Sequence, residues 1–413
     1  MKHGPLHGAL SHRGRVRGQR LYLEEESLGL SASASVTARE NASAAVPWYV
    51  WCAVAAVTCA MTGVHWDISW HRSIGRDSFW TPAHVDIYFC GVLAGISCGY
   101  LILHTTLQRS SPLREASVTL WGFRGPLGAF LAAWGGIAML TSAPFDDWWH
   151  NAYGLDVKIL SPPHMVLAAG MFAVHGGALL LILGRMNRAV GAERGRLMAL
   201  FFYVGGMILV CITVLLMEIA YRSFMHTVHF YHLMAMVAPP VLAARATKYR
   251  WASTWVAGVY SAFVLGMSWA LPLFPAQPKL GPVYHQLTQF TPPEFPFLFI
   301  VPAVALDLIW GRTAHWGRWR QAVVSGVAFV AVLAAVQWPF ANFLMSPWAR
   351  NWFFGAKYFG YYASPTSLYV NHRFVATEAG EQLWQEIGIT LVTAILTTRL
   401  GLAAGDWMRR VQR

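Results

Sequence analysis

Apolar runs of close to twenty residues recur from residue 46 to residue 404 and dominate this chain. A run of that length crosses a hydrocarbon core as a helix, and in lipid only helices or closed barrels satisfy every backbone amide. The runs predict an all-α polytopic integral membrane bundle of about ten transmembrane helices, at 46–64, 84–106, 120–143, 163–184, 197–220, 226–244, 251–273, 295–311, 320–342 and 383–404. The segment 226–244 is the least regular of these, being short and rich in His. Only 12% of the residues are charged, about half the share of a soluble domain. Residues 1–45 differ: they are rich in Arg and His, then acidic, then rich in Ser and Ala. They read as a polar, disordered tail, and not as a signal peptide, because no apolar core follows the early basic residues.

The net charge of +12 would suit a nucleic-acid binder in a soluble chain. Here its distribution gives another meaning. With the N-terminus inside, the inner segments carry 23 of the 31 Lys and Arg residues and the outer segments 8. The positive-inside rule then predicts cytoplasmic termini, as in a bacterial inner membrane. The lipid bilayer is the expected partner, and no nucleic-acid motif is present. All five Cys lie within apolar runs, with no disulfide framework and no CxxC site.

Two outer loops carry one pattern twice. The first reads Asp67, Trp70, His71, Gly75, Asp77, Thr81, Pro82, His84; the second reads Asp146, Trp149, His150, Gly154, Asp156, Ser161, Pro162, His164. Each copy starts at the outer end of one helix and finishes in the first turn of the next. An internal duplication of a helix–loop–helix unit is the simplest account. It divides the membrane region into a four-helix unit at 46–184, which holds both copies, and a six-helix unit at 185–413.

Asp67 and His71 are four residues apart, as are Asp146 and His150, so each pair shares a helix face. Thr81 and Ser161 are expected N-caps with Pro82 and Pro162 at the first helical position, which places His84 and His164 in a first turn. One carboxylate and two imidazoles then converge from two helix ends, a set that suits a divalent transition metal with open positions. Spacing alone does not choose among Cu, Zn, Fe and Ni. The plainer alternative is interfacial anchoring by Trp and His, with Asp77 paired to Arg76 and Asp156 to Lys158. Two copies in register favour the metal.

The stretch "DISWHRSIGRDSFWTPAH" resembles the signature of the C subunit of copper-containing membrane monooxygenases, the particulate methane and ammonia monooxygenase family. Asp67, Ser69, Trp70, His71, Arg76, Asp77, Thr81, Pro82 and His84 match that signature in register, and Phe79 is shifted by one. The resemblance covers residues 60–170. It implies one copper site at Asp67, His71 and His84 and a second at Asp146, His150 and His164, where Asp146 replaces the family's Asn. It further implies O2-dependent hydroxylation of a small apolar substrate or ammonia, reductant from the quinol pool, and additional membrane subunits as partners. This chain departs from the family in carrying about four extra helices and no soluble outer domain.

Other constellations are weaker. Glu218, His226, His229 and His232 cluster with Arg222 near an outer helix end, a possible additional copper set or an ion pair with interfacial His. Thr291 and Glu294 read as a capping box, and Ser364–Pro365 as a degenerate motif copy. His175 either lines an inner path or bonds a neighbouring helix's carbonyl, and Asp86 is a candidate support for His84. No phosphate loop, hydrolase elbow or HExxH occurs. Three function classes follow: a copper-dependent monooxygenase component, a metal carrier or transporter relaying through His175 or Asp307, and a structural membrane subunit.

Overall fold

The computed structural model describes residues 1, 45–75, 77–154, 161–216, 225–279, 287–355 and 381–412. Most of the N-terminal tail, Arg76, Asp156, Lys158, Glu218, Arg222 and Ser364–Pro365 lie outside the described residues.

The described fold is all-helical apart from one small hairpin. Its helices are α1 (Trp48–Ser73), α2 (Pro82–Leu107), α3 (Leu127–Tyr153), α4 (Pro162–Met186), α5 (Gly191–Leu216), α6 (Val228–Leu242), α7 (Ala252–Ala270), α8 (Ile300–Arg312), α9 (Arg318–Met345) and α10 (Glu381–Met408). Eight of them are long and apolar enough to cross a membrane. The other two, α6 with 15 residues and α8 with 13, are shorter than the roughly 20 residues a crossing needs.

Local chemistry explains where these elements depart from the expected spans. The expected helix at 120–143 starts late, because Val118–Leu120 and Phe123–Gly125 form an antiparallel hairpin whose turn residues Trp121 and Gly122 both have positive φ. Helix α8 starts at Ile300 instead of 295, because Pro292, Pro293 and Pro296 hold the preceding residues extended. That stretch keeps its amides bonded inside the protein: Phe297 N–H donates to the Tyr260 hydroxyl at 3.1 Å and Leu298 N–H to Gln337 Oε1 at 2.9 Å. Buried partners of this kind are what permit non-helical backbone in a membrane protein.

Helices α1 to α4 close into a ring, each packed on the next and α4 back on α1. Small residues set the spacing. A Cβ on Gly135 would meet the Gly170 carbonyl oxygen at 2.7 Å, and one on Gly128 the Gly177 carbonyl oxygen at 2.5 Å, so α3 and α4 touch backbone to backbone. Gly136 faces Gly91 on α2 in the same way. Both copies of the repeated pattern thereby sit at one end of the ring. Helix α5 packs on α4, α1 and α7, and α10 packs on α6 and α9. One hydrophobic core runs through all of it, from Tyr49 to Val411.

Candidate metal centre

Helix α1 continues nine residues beyond its expected end, and this extension puts Asp67 and His71 on consecutive turns. Gly75, at φ +86°, follows the end of the helix. Gly154 takes φ +89° at the same place after α3. The glycine of the repeated pattern is thus the residue whose backbone leaves the helix through a conformation that disfavours any side chain. Pro82 and Pro162 open α2 and α4, behind Thr81 and Ser161 as N-caps. Ser161 Oγ accepts from His164 N–H, as a cap should. Thr81 Oγ1 instead accepts from Ser78 N–H at 2.8 Å and tightens the loop behind it.

The first set converges. One ligand atom each from Asp67, His71 and His84 lies within 4.8 Å of the others, and among the described residues this is the one such group of three His, Cys, Asp or Glu. His84 Nε2 is 3.1 Å from Asp67 Oδ1, and His71 Nε2 is 3.7 Å from Asp67 Oδ2. Asp77 closes the opposite side, its Oδ2 3.5 Å from His71 Nε2 and 3.4 Å from His84 Nε2. In sequence, Asp77 has Arg76 as an alternative partner, which lies outside the described residues, and its recurrence in register as Asp156 is the signal that ties it to the motif.

Hydrogen bonding fixes how these groups face one another. His84 Nδ1 lies 3.0 Å from the Ser78 carbonyl oxygen, which can only accept, so Nδ1 carries the proton. In the neutral ring the Nε2 lone pair then points at two carboxylates, an arrangement that a cation between them makes favourable. Asp67 Oδ1 is buried and has the His84 Nε2 beside it at 3.1 Å. Two imidazole nitrogens facing two carboxylates fit a divalent transition metal. Access is from the His71 side, whose side chain is 48% exposed against 16% for His84 and 15% for Asp77.

The second set is looser. His150 Nε2 is 3.4 Å from Asp146 Oδ2, and His164 Nε2 is 3.5 Å from Asp146 Oδ1. Its three ligand atoms do not all meet the spacing of the first set. His150 Nδ1 donates to the Gly154 carbonyl at 3.3 Å, so its Nε2 also faces the carboxylate.

The other candidates separate by their contacts. His226, His229 and His232 do not form a convergent triad; His226 Nε2 bonds Asn342 Oδ1 at 2.9 Å and its ring meets Trp338 edge-on. Asp86 accepts from Thr62 on α1 at 2.5 Å and ties two helices together. His175 Nδ1 bonds Met171 O at 2.8 Å, a carbonyl of its own helix and not of a neighbour, while its Nε2 is buried without a hydrogen-bond partner. Asp307, fully buried, accepts from the Ser253 and Thr254 amides and the Thr254 hydroxyl, and so caps α7 from across the bundle.

Thr291 and Glu294 do not form a capping box, because no helix starts there. Glu294 pairs with Arg72 at 3.0 Å. Ser69 Oγ donates to Thr291 O at 2.6 Å, and Thr291 N–H donates to Ser73 Oγ at 2.7 Å. This strap holds the turns of α1 that carry Asp67 and His71. No protein-family model, no curated protein and no solved structure matches this chain.

Proposed function

We propose that this integral membrane protein binds copper at Asp67, His71 and His84, with Asp77 as the facing carboxylate, and that it serves as a monooxygenase-C-subunit-like component. The observation that carries the metal site is the convergence of two imidazole Nε2 atoms between two carboxylates. The resemblance of residues 60–170 to the copper monooxygenase C subunit supports the choice of copper and of O2 chemistry.

In that reading the bound copper supplies O2 activation: one oxygen atom enters a small apolar substrate or ammonia, and the other leaves as water with two electrons and two protons from a quinol. The chain's own residues do the rest. His84 is held in one tautomer by Ser78, Asp67 and Asp77 balance the cation's charge, and the strap at Thr291–Glu294 keeps the α1 ligands in place. Asp146, His150 and His164 form a second, weaker site, derived from the first by duplication of a helical hairpin. The basic residues place both termini in the cytoplasm and both motif loops outside.

Metal analysis of the purified protein, reconstituted with copper, tests the site. His84→Ala should remove most of the tightly held copper, and His315→Ala, at an exposed position remote from the motif, should leave it intact. Equal losses in the two variants would refute the site. A carrier reading draws on the unpartnered Nε2 of buried His175. Copper flux in proteoliposomes without O2 uptake would favour it, and O2 uptake dependent on quinol and copper would favour the oxygenase.

A further inference from the structure

At the end of the bundle opposite the repeated motif, a cavity of about 540 Å³ opens between the α6–α7 link, the α8–α9 link and the end of α10. Five cations line it, Arg245, Lys248, Arg250, Arg318 and Arg409, and no acidic residue is among the residues that line it. Two carboxylates lie behind these cations. Asp406 takes Arg318 in a two-point contact, at 2.9 and 2.5 Å, and also takes Arg409. Asp307 lies 3.8 Å from Arg245 and is saturated by the α7 amides. Five cations against two carboxylates leave three positive charges facing one cavity.

The polar and apolar parts are separated in a way that selects the ligand. Lys248 and Arg250 make no ion pair to any carboxylate among the described residues, and the Arg250 guanidinium stacks on Trp251 at 4.8 Å. The wall beside them is apolar: Trp310, beneath Arg245 at 5.2 Å, with Ala243 and Leu402. Trp316, Trp319 and Trp407, on the α8–α9 link, the first turn of α9 and the last turn of α10, are exposed at this end of the bundle, as indoles at the headgroup level of a bilayer are. A basic cavity with an apolar wall, at a helix-bundle end that carries exposed Trp, fits an amphiphile with an anionic head.

We propose that this cavity binds the phosphate-bearing headgroup of an anionic membrane lipid, with Lys248 and Arg250 as the cations that no carboxylate among the described residues neutralises. Full-length protein in detergent, stripped of lipid, is titrated with phosphatidylglycerol, with phosphatidylcholine and with inorganic phosphate, and binding is read by native mass spectrometry. Phosphatidylglycerol should bind in preference to phosphatidylcholine. Lys248→Gln/Arg250→Gln should weaken it roughly thirtyfold, the effect of removing two cations near a headgroup. These two residues support no ion pair, so the fold survives the change, and an unchanged melting temperature checks this. Equal binding of the two lipids, or an unchanged affinity in the double variant, would overturn the proposal. Inorganic phosphate binding as tightly as the lipid would assign the cavity to a soluble anion and overturn the lipid source.

Discussion

The two copies of the Asp/His/His pattern share their residue order and glycine, with one extra residue in the second, yet they stand in different surroundings. The first lies against residues 268–279 and 287–294. Ser69, Arg72 and Ser73 bond Thr291 and Glu294, Lys279 N–H donates to the Ile74 carbonyl at 2.9 Å, and Ile74 packs with Leu271, Ala276 and Phe290 in a small separate core. The second ends in an aromatic group, Phe145, Trp148, Trp149 and Tyr153, in which Trp148 and Tyr153 are 54% and 68% exposed. Local sequence delivers three ligands to one helix junction in both copies. Among the described residues only the first copy brings its set into a metal-sized space, and it is the copy whose helix is tied to Thr291 and Glu294.

The largest expected effect breaks the first site outright. Losing an outer-shell partner typically costs a metal site roughly 10- to 100-fold in affinity, and losing a ligand should cost more. His84→Ala should therefore lower copper affinity by on the order of a hundredfold or more. His164→Ala should leave the tightest binding phase almost untouched. Competition against a chelator of known affinity measures both, and a larger loss from His164→Ala would reverse the ranking of the two sites.

The next effect concerns charge. Asp77→Asn keeps the size and removes one of the two carboxylates that face His71 and His84. Affinity at the first site should fall roughly tenfold, in line with the loss of a supporting carboxylate. An unchanged affinity would mean that Asp67 alone balances the ion.

A smaller change should follow from cutting the strap. Glu294→Gln keeps an acceptor oxygen but removes the negative charge paired with Arg72, which should weaken this partly buried bond by about 1 kcal/mol. Hydrogen exchange of the last turns of α1 should rise, and exchange at the end of α3 should not. If both helix ends loosen together, the strap is not what separates the two copies.

The parts of this molecule that were legible in the sequence are the local ones. Hydropathy located the long helices because a crossing helix needs a continuous apolar run, and the Asp/His/His grouping was visible because its residues fall at helix ends marked by Thr81–Pro82 and Ser161–Pro162. The strap was not legible. Thr291 and Glu294 lie some 220 residues from their partners on α1, and the local pattern T-x-x-E pointed to a cap. Pro292 and Pro293 are compatible with a helix start, as Pro162 and Pro163 show, but Pro296 falls where a helix begun there would need its amide, a signal that outweighs a capping box. The place of Asp77 beside the imidazoles was hidden for a related reason: an adjacent opposite charge, Arg76, is a ready partner in sequence, while the two imidazoles that Asp77 faces come together only when the helices pack.

The smallest expected effect asks how far the two copies sense each other. The His–Asp contacts seen among the described residues are internal to each set. Tyr88, on the second turn of α2, links them more loosely. Its ring is 6.3 Å from the His84 ring, and it lies within electrostatic reach of Asp67 and Asp77 in the first set and of Asp146 in the second. Its hydroxyl donates to the Phe79 carbonyl at 3.0 Å, in the loop that leads to Thr81. A change of charge in one set therefore reaches the other through partly screened Coulomb terms and not through a shared ligand. A double-mutant cycle on His84→Ala and His164→Ala, read as copper affinity, should give a coupling of roughly 0.5 kcal/mol, near the limit at which separated sites are additive. Raising the salt concentration should shrink it further. A coupling several times larger, insensitive to salt, would mean that one ion draws ligands from both copies, and the two hairpins would then form a single centre.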